Sequence, residues 1–202
     1  MRTVAASADG SVIATGGEET RVMLWDGTTG RLKRILTGGT DFVNSISISP
    51  DGRLLASGDA SARILVWDVA TGRLLQTLRG HSDEVNAVAF STDGKLLASA
   101  GEDGKVFLWD PAAGRQVRRL DGQRSAVRSL AFNREGGLLA AGAEDGKVVV
   151  WDMATSAVLQ SVAGSTAAVN AMAFDGRNKN QLFVGSEENR VRPLNVARGL
   201  AR

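Results

Sequence analysis

An all-β fold of repeated four-stranded antiparallel sheets is predicted by three observations. Trp25-Asp26, Trp67-Asp68, Trp109-Asp110 and Trp151-Asp152 hold every tryptophan of the 202-residue chain, and each pair lies 42 positions after the one before. Other features keep the same phase: Asp9-Gly10, Asp51-Gly52, Asp93-Gly94 and then Glu135-Gly136; Gly30, Gly72 and Gly114; Val43, Val85, Val127 and Val169. Between these markers the chain breaks into short apolar runs separated by turn residues, with no helical periodicity. A strict period of this length belongs to a repeat architecture and not to a domain built around one active site. It directs function towards binding.

The third repeat shows the elements in order. Val85 to Phe90 alternates apolar with small or polar residues, as a half-buried strand does. Thr92-Asp93-Gly94 reads as a tight turn, because glycine tolerates positive φ. Leu96 to Ala100 is a second apolar run, and Glu102-Asp103-Gly104 a second turn. Val106 to Trp109 is a third strand, rich in β-formers. Pro111 to Gly114 turns again, and Gln116 to Leu120 is the fourth strand. One such sheet cannot bury both faces alone, so neighbouring repeats must stack on each other. Radial stacking of twisted four-stranded sheets makes a β-propeller. The units expected are about 1–38, 39–80, 81–122, 123–164 and 165–202.

The segment Gly80 to Asp110, GHSDEVNAVAFSTDGKLLASAGEDGKVFLWD, resembles the WD-repeat consensus, and the resemblance extends over nearly the whole chain. It implies a hydrogen-bond chain inside each blade, carried here by His81, Ser99, Asp103 and Trp109. A Ser/His/Asp trio also suggests a hydrolase, but each member stands at a framework position of the repeat. A buried indole N–H needs an acceptor and a buried carboxylate needs donors, so the framework reading is preferred. The pairs Trp25-Asp26, Trp67-Asp68 and Trp151-Asp152 are the corresponding repeat core. The other units depart from the pattern. The second has Gly39 and Ser61 in place of the His and Asp but keeps Ser57 and Trp67. The fourth has Gln123, Ala141, Asp145 and Trp151, and the first has Thr15, Glu19 and Trp25.

The fifth unit is degenerate. Val169 to Phe174 matches the first strand, Asp175 to Gln181 makes a longer polar turn, and Arg190 to Asn195 replaces the Trp-Asp strand. Pro193 cannot donate to a ladder, which favours an edge or a bulge. The chain begins inside a first strand and stops at Gly199 to Arg202, where a fifth outer strand should begin. Four full blades and three strands of a fifth are therefore expected. WD-repeat propellers usually have seven blades, which leaves three readings: part of a longer propeller, an imperfect five-bladed ring, or a ring completed by other copies. The first is favoured.

Composition removes several functions. There is no cysteine and one histidine, so disulfides, thiol chemistry and an ordinary transition-metal site are excluded. No cofactor is expected and no catalytic constellation is found. No stretch of 18 apolar residues suggests a membrane span. Gly142 to Lys147, GAEDGK, is too short for a phosphate loop and sits between two strands, so it reads as a hairpin turn. The net charge is only +2. The basic groups Arg31, Lys33, Arg34 and Arg115, Arg118, Arg119 fall on outer strands, where they read as a solvated rim and not as a nucleic-acid surface. A reducing cytoplasm is the default compartment.

The resemblance implies a non-catalytic platform that binds protein or peptide, or the sensing module of a larger protein. The alternative is a structural element whose repeats self-associate. The family's top face corresponds here to residues before each first strand, Thr40, Phe42, Ser82, Glu84, Arg124, Ala126, Thr166 and Ala168. To these it adds Ala60, Glu102, Glu144 and Glu187 before the turns. Phe42, Glu84, Glu102, Arg124, Glu144 and Glu187 are the candidates for partner contact. Phe42 is either a partner anchor or a packing residue between blades, and the glutamates suit a basic peptide.

Overall fold

The computed structural model describes residues 1–196 except Thr40 and Lys179, and it is all-β among them. The first sheet is β1 (Thr3–Ala6), β2 (Val12–Gly16), β3 (Val22–Asp26) and β4 (Leu32–Leu36). The second is β5 (Val43–Ile48), β6 (Leu54–Asp59), β7 (Arg63–Asp68) and β8 (Leu74–Arg79). The third is β9 (Val85–Phe90), β10 (Leu97–Gly101), β11 (Val106–Asp110) and β12 (Arg115–Leu120). The fourth is β13 (Val127–Phe132), β14 (Leu138–Ala143), β15 (Lys147–Asp152) and β16 (Val158–Ala163). The last sheet has three described strands, β17 (Val169–Phe174), β18 (Gln181–Ser186) and β19 (Arg190–Asn195). All are antiparallel meanders in chain order. The expected outer strand at Gly199 to Arg202 lies outside the described residues, as does Thr40.

Turn chemistry sets the blade outline. The Asp of each Trp-Asp pair accepts from backbone N–H groups of the turn that follows. Thr29 and Thr71 donate at 2.8 and 2.6 Å to Asp26 and Asp68, and Ala113 and Thr155 donate at 2.9 Å to Asp110 and Asp152. At the neighbouring hairpin, between the first and second strands of the first three blades, the Ser7, Ser49 and Ser91 hydroxyls each donate at 2.6 Å to Asp9, Asp51 and Asp93. Gly10, Gly52, Gly94 and Gly136 follow at φ of 70° to 71°, a left-handed conformation natural to glycine. The segment 144–146 between β14 and β15 is likewise a hairpin turn.

The core lies between blades. One face of each blade is small or β-branched and the next blade's facing side is large. Ala14, Val22, Leu24 and Leu36 meet Ile46, Leu55, Leu65 and Trp67. Ala56, Ile64, Val66 and Leu78 meet Val88, Leu97, Phe107 and Trp109. The third and fourth blades repeat the arrangement around Trp151, and in the fifth Leu182 and Val184 take over against Ala140, Val148 and Val150. The register explains the substitution: Leu194 stands opposite Leu182 as Trp151 stands opposite Leu139. Pro193 falls on β19, the last described strand of its sheet, where no ladder donor is lost.

Inner strands pack in series, β1 on β5, β5 on β9, β9 on β13 and β13 on β17, and no comparable packing joins β17 to β1. The five blades therefore form an arc. Its two end faces are partly bare. Val4 is 61% exposed where Ile46 and Val88 are 7%, and Val191 is 68% exposed where Val22, Ile64, Val106 and Val148 are fully buried. Outer strands β4 and β12 are exposed except for their last leucines. A side chain on most of them straps one blade to the next. Arg34 donates to the Ala70 carbonyl, Gln76 to that of Ala112, Arg118 to the Ser156 hydroxyl and Gln160 to the Asn195 carbonyl.

Candidate functional site

The third blade carries its polar chain intact. Trp109 Nε1 donates to Ser99 Oγ at 2.8 Å, Ser99 Oγ lies 2.8 Å from His81 Nε2, and His81 Nδ1 lies 3.0 Å from Asp103 Oδ1. The carboxylate also accepts from the Ser82 and Lys105 amides, each at 3.0 Å. A carboxylate only accepts, so His81 Nδ1 holds the proton, Nε2 accepts from Ser99, and Ser99 accepts from the indole. Each hydrogen bond in this chain thus has its donor and its acceptor. Ser99 is fully buried, and Phe107 covers His81 edge-on at 4.7 Å between ring centroids. The hydroxyl therefore has no room for a substrate carbonyl, and this trio is not arranged for acyl transfer. Burial holds the His81 pKa below its ordinary value, partly offset by Asp103. Burial pushes Asp103 up, but the Ser82 amide, His81 and the Lys105 amide together hold it below the usual carboxylate value.

The other blades solve the same problem differently. In the first, Trp25 donates to Thr15 Oγ1 at 2.8 Å. In the fourth, Trp151 donates to the Asp121 carbonyl at 2.8 Å, and Gln123 donates to the Ala141 carbonyl at 3.0 Å. The second blade departs from expectation. Ser57 and Trp67 hold the right register, yet neither Ser57 Oγ nor Trp67 Nε1 has a hydrogen-bond partner among the described residues. Gly39, in the histidine position, has no side chain to orient the hydroxyl. The carboxylate has also moved, from the Ser61 position to Asp59, which is buried and holds the Arg63 guanidinium at 2.8 Å. In the fifth blade Glu188 takes the Asp103 role. It accepts from the Thr166 amide at 2.9 Å and from its hydroxyl, and lies 2.6 Å from Arg192. These hydrogen bonds, Thr166's first, hold its pKa down to about 2.

The inner strands begin at one rim, where the second residues of β5, β9, β13 and β17 and Arg2, just before β1, share one repeat phase. Arg2, Asn44, Asn86, Arg128 and Asn170 lie 42 residues apart in sequence and, with Glu84 and Glu102, line a shallow polar concavity of about 320 Å³. Asn44 Nδ2 donates to Glu84 at 3.2 Å, and Asn86 Nδ2 to Glu102 at 2.8 Å and to the Val127 carbonyl at 3.2 Å. Arg128 pairs with Glu144 at 2.8 Å, and Arg2 with Glu18 at 3.4 Å. Hydrogen bonding to Glu144 is the main cause of a raised Arg128 pKa, and the Glu102 and Glu187 charges add to it. Glu84 and Glu102 are thus held by neutral amides, whereas Glu18 and Glu144 have cationic partners.

Of the sequence candidates, Glu84 and Glu102 come together on this concavity. Glu144 adjoins it through Arg128. Arg124 is exposed on the loop before β13, and Glu187 is exposed in the turn after β18; neither lines the concavity. Phe42 is 41% exposed, with the Arg2 guanidinium 5.2 Å from its ring centroid. It lies on the rim beneath a cation and is not packed away between blades. The set of Arg2, Asn44, Asn86, Arg128 and Asn170 escaped sequence reasoning. Its signal was present, because four of its members directly follow Val43, Val85, Val127 and Val169.

Residues 48–201 match the family model described as Nucleolar protein 10-like, N-terminal domain. Residues 1–26 match the model of the WD domain, G-beta repeat. No curated protein matches the chain.

Two outcomes are expected from the network. Asp103→Ala leaves His81 and two amides without their acceptor and should cost about 2–3 kcal/mol in a denaturant titration, whereas exposed Glu19→Ala should stay within about 0.5 kcal/mol. Equal losses would refute this ranking. The second outcome concerns pH. His81 is the only histidine, and there is no cysteine. Its folded pKa lies below the unfolded one, so the unfolded chain takes up the proton first and stability falls as pH drops below about 6.5. The loss should approach about 1.4 kcal/mol per pH unit at most. His81→Gln, which copies Gln123, should flatten unfolding free energy between pH 7 and 5, and a slope unchanged from wild type would contradict the assignment.

Proposed function

The chain belongs to the WD-repeat β-propeller family, and on that premise we propose that it is a non-catalytic platform for protein or peptide partners, working as a scaffold or as the sensing module of a larger protein. Families of this kind are generally non-catalytic and serve in protein interaction. The observation that carries the reading is the concavity around Glu84 and Glu102. Rigid strand ends hold its side chains, so recognition groups are preorganised at little entropic cost. Its lining is polar and shallow, unlike the deep apolar clefts that suit small molecules. Two carboxylates with no ion pair among the described residues, flanked by Arg2 and Arg128, favour a peptide that places one basic side chain between them. Phe42 at the rim supplies an apolar contact beside it.

Nucleic acid fits less well. The outer-strand cations have local acceptors, Lys33 with Asp26 at 3.0 Å, Arg115 with Asp110 at 3.8 Å and Arg119 with Asp121 at 3.2 Å. No helix among the described residues is long and apolar enough to cross a membrane. The proposal calls for no cofactor. We place the platform in the cytoplasm as the default for a cysteine-free chain; the matched family model describes a nucleolar protein, and the nucleolus is the alternative compartment.

A second reading is self-association through the end faces, and the partly bare Val4, Trp25 and Val191 favour it. Trp25 is only half-buried, whereas Trp67, Trp109 and Trp151 are at most 2% exposed.

Phe42→Ala, Glu84→Gln, Glu102→Gln and Arg124→Ala, used as baits in quantitative capture, separate the readings. The two glutamate variants should lose proteins that wild type retains, with an unchanged unfolding midpoint. Retention by every variant would sink the platform reading. Light scattering after gel filtration should give a monomer mass at micromolar concentration if the end faces play no part, whereas a defined oligomer would establish the second reading.

A further inference from the structure

A second recognition surface lies away from the Glu84 face. The cleft between the first two blades, about 480 Å³, has an apolar floor of Val12, Leu24 and Val69. Its rim carries Lys33, Arg34 and Arg53, with Asp68 beside them. The three cations do not recur together in the following blades. The corresponding positions one blade on are Leu75, Gln76 and Lys95, and two blades on Val117, Arg118 and Gly137. The structural task of Arg34 is to donate to the Ala70 carbonyl at 3.1 Å. Glutamine performs it at the equivalent places, Gln76 to Ala112 and Gln160 to Asn195, each at 3.3 Å. The positive charge of Arg34 is therefore not needed to strap the blades.

Nor is that charge locally neutralised. Asp26 takes Lys33 at 3.0 Å. Asp51 lies 3.9 Å from Arg53, whose side chain is 84% exposed. The Asp68 carboxylate already accepts from the Thr71 amide at 2.6 Å and hydroxyl at 2.7 Å. Arg34 is bound to a neutral carbonyl. Among the described residues Arg34 is thus the one rim cation with no carboxylate within ion-pair distance, and it stands over an apolar floor. Beside it, β4 is the end strand of its sheet, an edge along which an extended chain can lie.

We propose that this cleft binds an extended peptide that carries a carboxylate next to a large aliphatic side chain. The aliphatic group covers Val12, Leu24 and Val69, and the carboxylate lies between the Arg34 and Arg53 guanidinium groups, whose planar donors match it. A singly charged carboxylate fits better than a dianionic phosphate because Asp68 stands in the same rim.

The test uses the full chain and a fluorescein-labelled octapeptide of alternating leucine and aspartate, read by anisotropy. Saturable binding is expected, weakening with added salt. The double variant Arg34→Gln, Arg53→Ser should bind at least about tenfold more weakly at an unchanged melting temperature, a loss of the size a charge-assisted contact supplies. Glu84→Gln should bind the peptide as wild type does, which separates this surface from the face proposed above. Three results would overturn the proposal: no saturation up to about 1 mM peptide, equal affinity for a peptide with asparagine in place of aspartate, or equal affinity in the double variant. A phosphoserine version binding about tenfold tighter than the aspartate peptide would reassign the rim to phosphate. The asparagine comparison is made on wild-type protein, so it decides the matter even if the double variant fails to fold.

Discussion

Everything in this molecule depends on one packing contact repeated along the arc: the large face of each blade against the small face of the blade before it. Trp67, Trp109 and Trp151 and their neighbouring leucines press onto Ala14, Ala56 and Ala98 and the valines around them. Burying an indole removes about 150–250 Å² from water, worth up to roughly 4–6 kcal/mol by area. A single neutral hydrogen bond contributes about 1 kcal/mol net. That ratio explains why the polar chain inside each blade can drift. Trp109 bonds a serine, Trp25 a threonine and Trp151 a backbone carbonyl, while Trp67 has no hydrogen-bond partner among the described residues and is as deeply buried as Trp109 and Trp151. In the fifth blade Leu182 and Leu194 replace the aromatic contact altogether.

The same contact makes the rim a rigid place to display side chains. The inner strands β5, β9 and β13 are clamped on both sides, so residues at their starts are held without loops of their own. A position that needs no packing is free to vary, and the set of Arg2, Asn44, Asn86, Arg128 and Asn170 varies in charge around a constant backbone. Its two arginines pair with Glu18 and Glu144, while neutral amides hold Glu84 and Glu102. On the outer edge the logic is similar. A strap to the next blade requires only a long donor, so Arg34 and Gln76 both serve, and the choice between them sets the local charge.

Where the contact stops, apolar surface is left. Val4 and Val191 occupy positions that are interior in the other blades, and they are exposed where no described strand packs on the faces that carry them. Their exposure is a property of position in the arc and not of residue choice.

The sequence by itself determined the period, the four-stranded unit, the turn positions and the chain of His81, Ser99, Asp103 and Trp109. Each of these rests on local chemistry: alternation along a strand, glycine at positive φ, or a motif confined to one repeat. It also placed the strand Arg190 to Asn195 in the degenerate blade, since register follows from counting residues. Only the tertiary structure decided which residues of different repeats meet. The pairing of Asn44 with Glu84, the Arg2 guanidinium over Phe42, the Asp59 carboxylate taking over in the second blade and Glu188 in the fifth all depend on how adjacent sheets are twisted and stacked. Glu144 and Glu187 occupy the repeat position of Glu102, yet they fall outside the lining of the concavity. A repeat phase fixes the height of a residue on its blade, while its side-chain neighbours are set by the blade beside it, across a distance that no local pattern records.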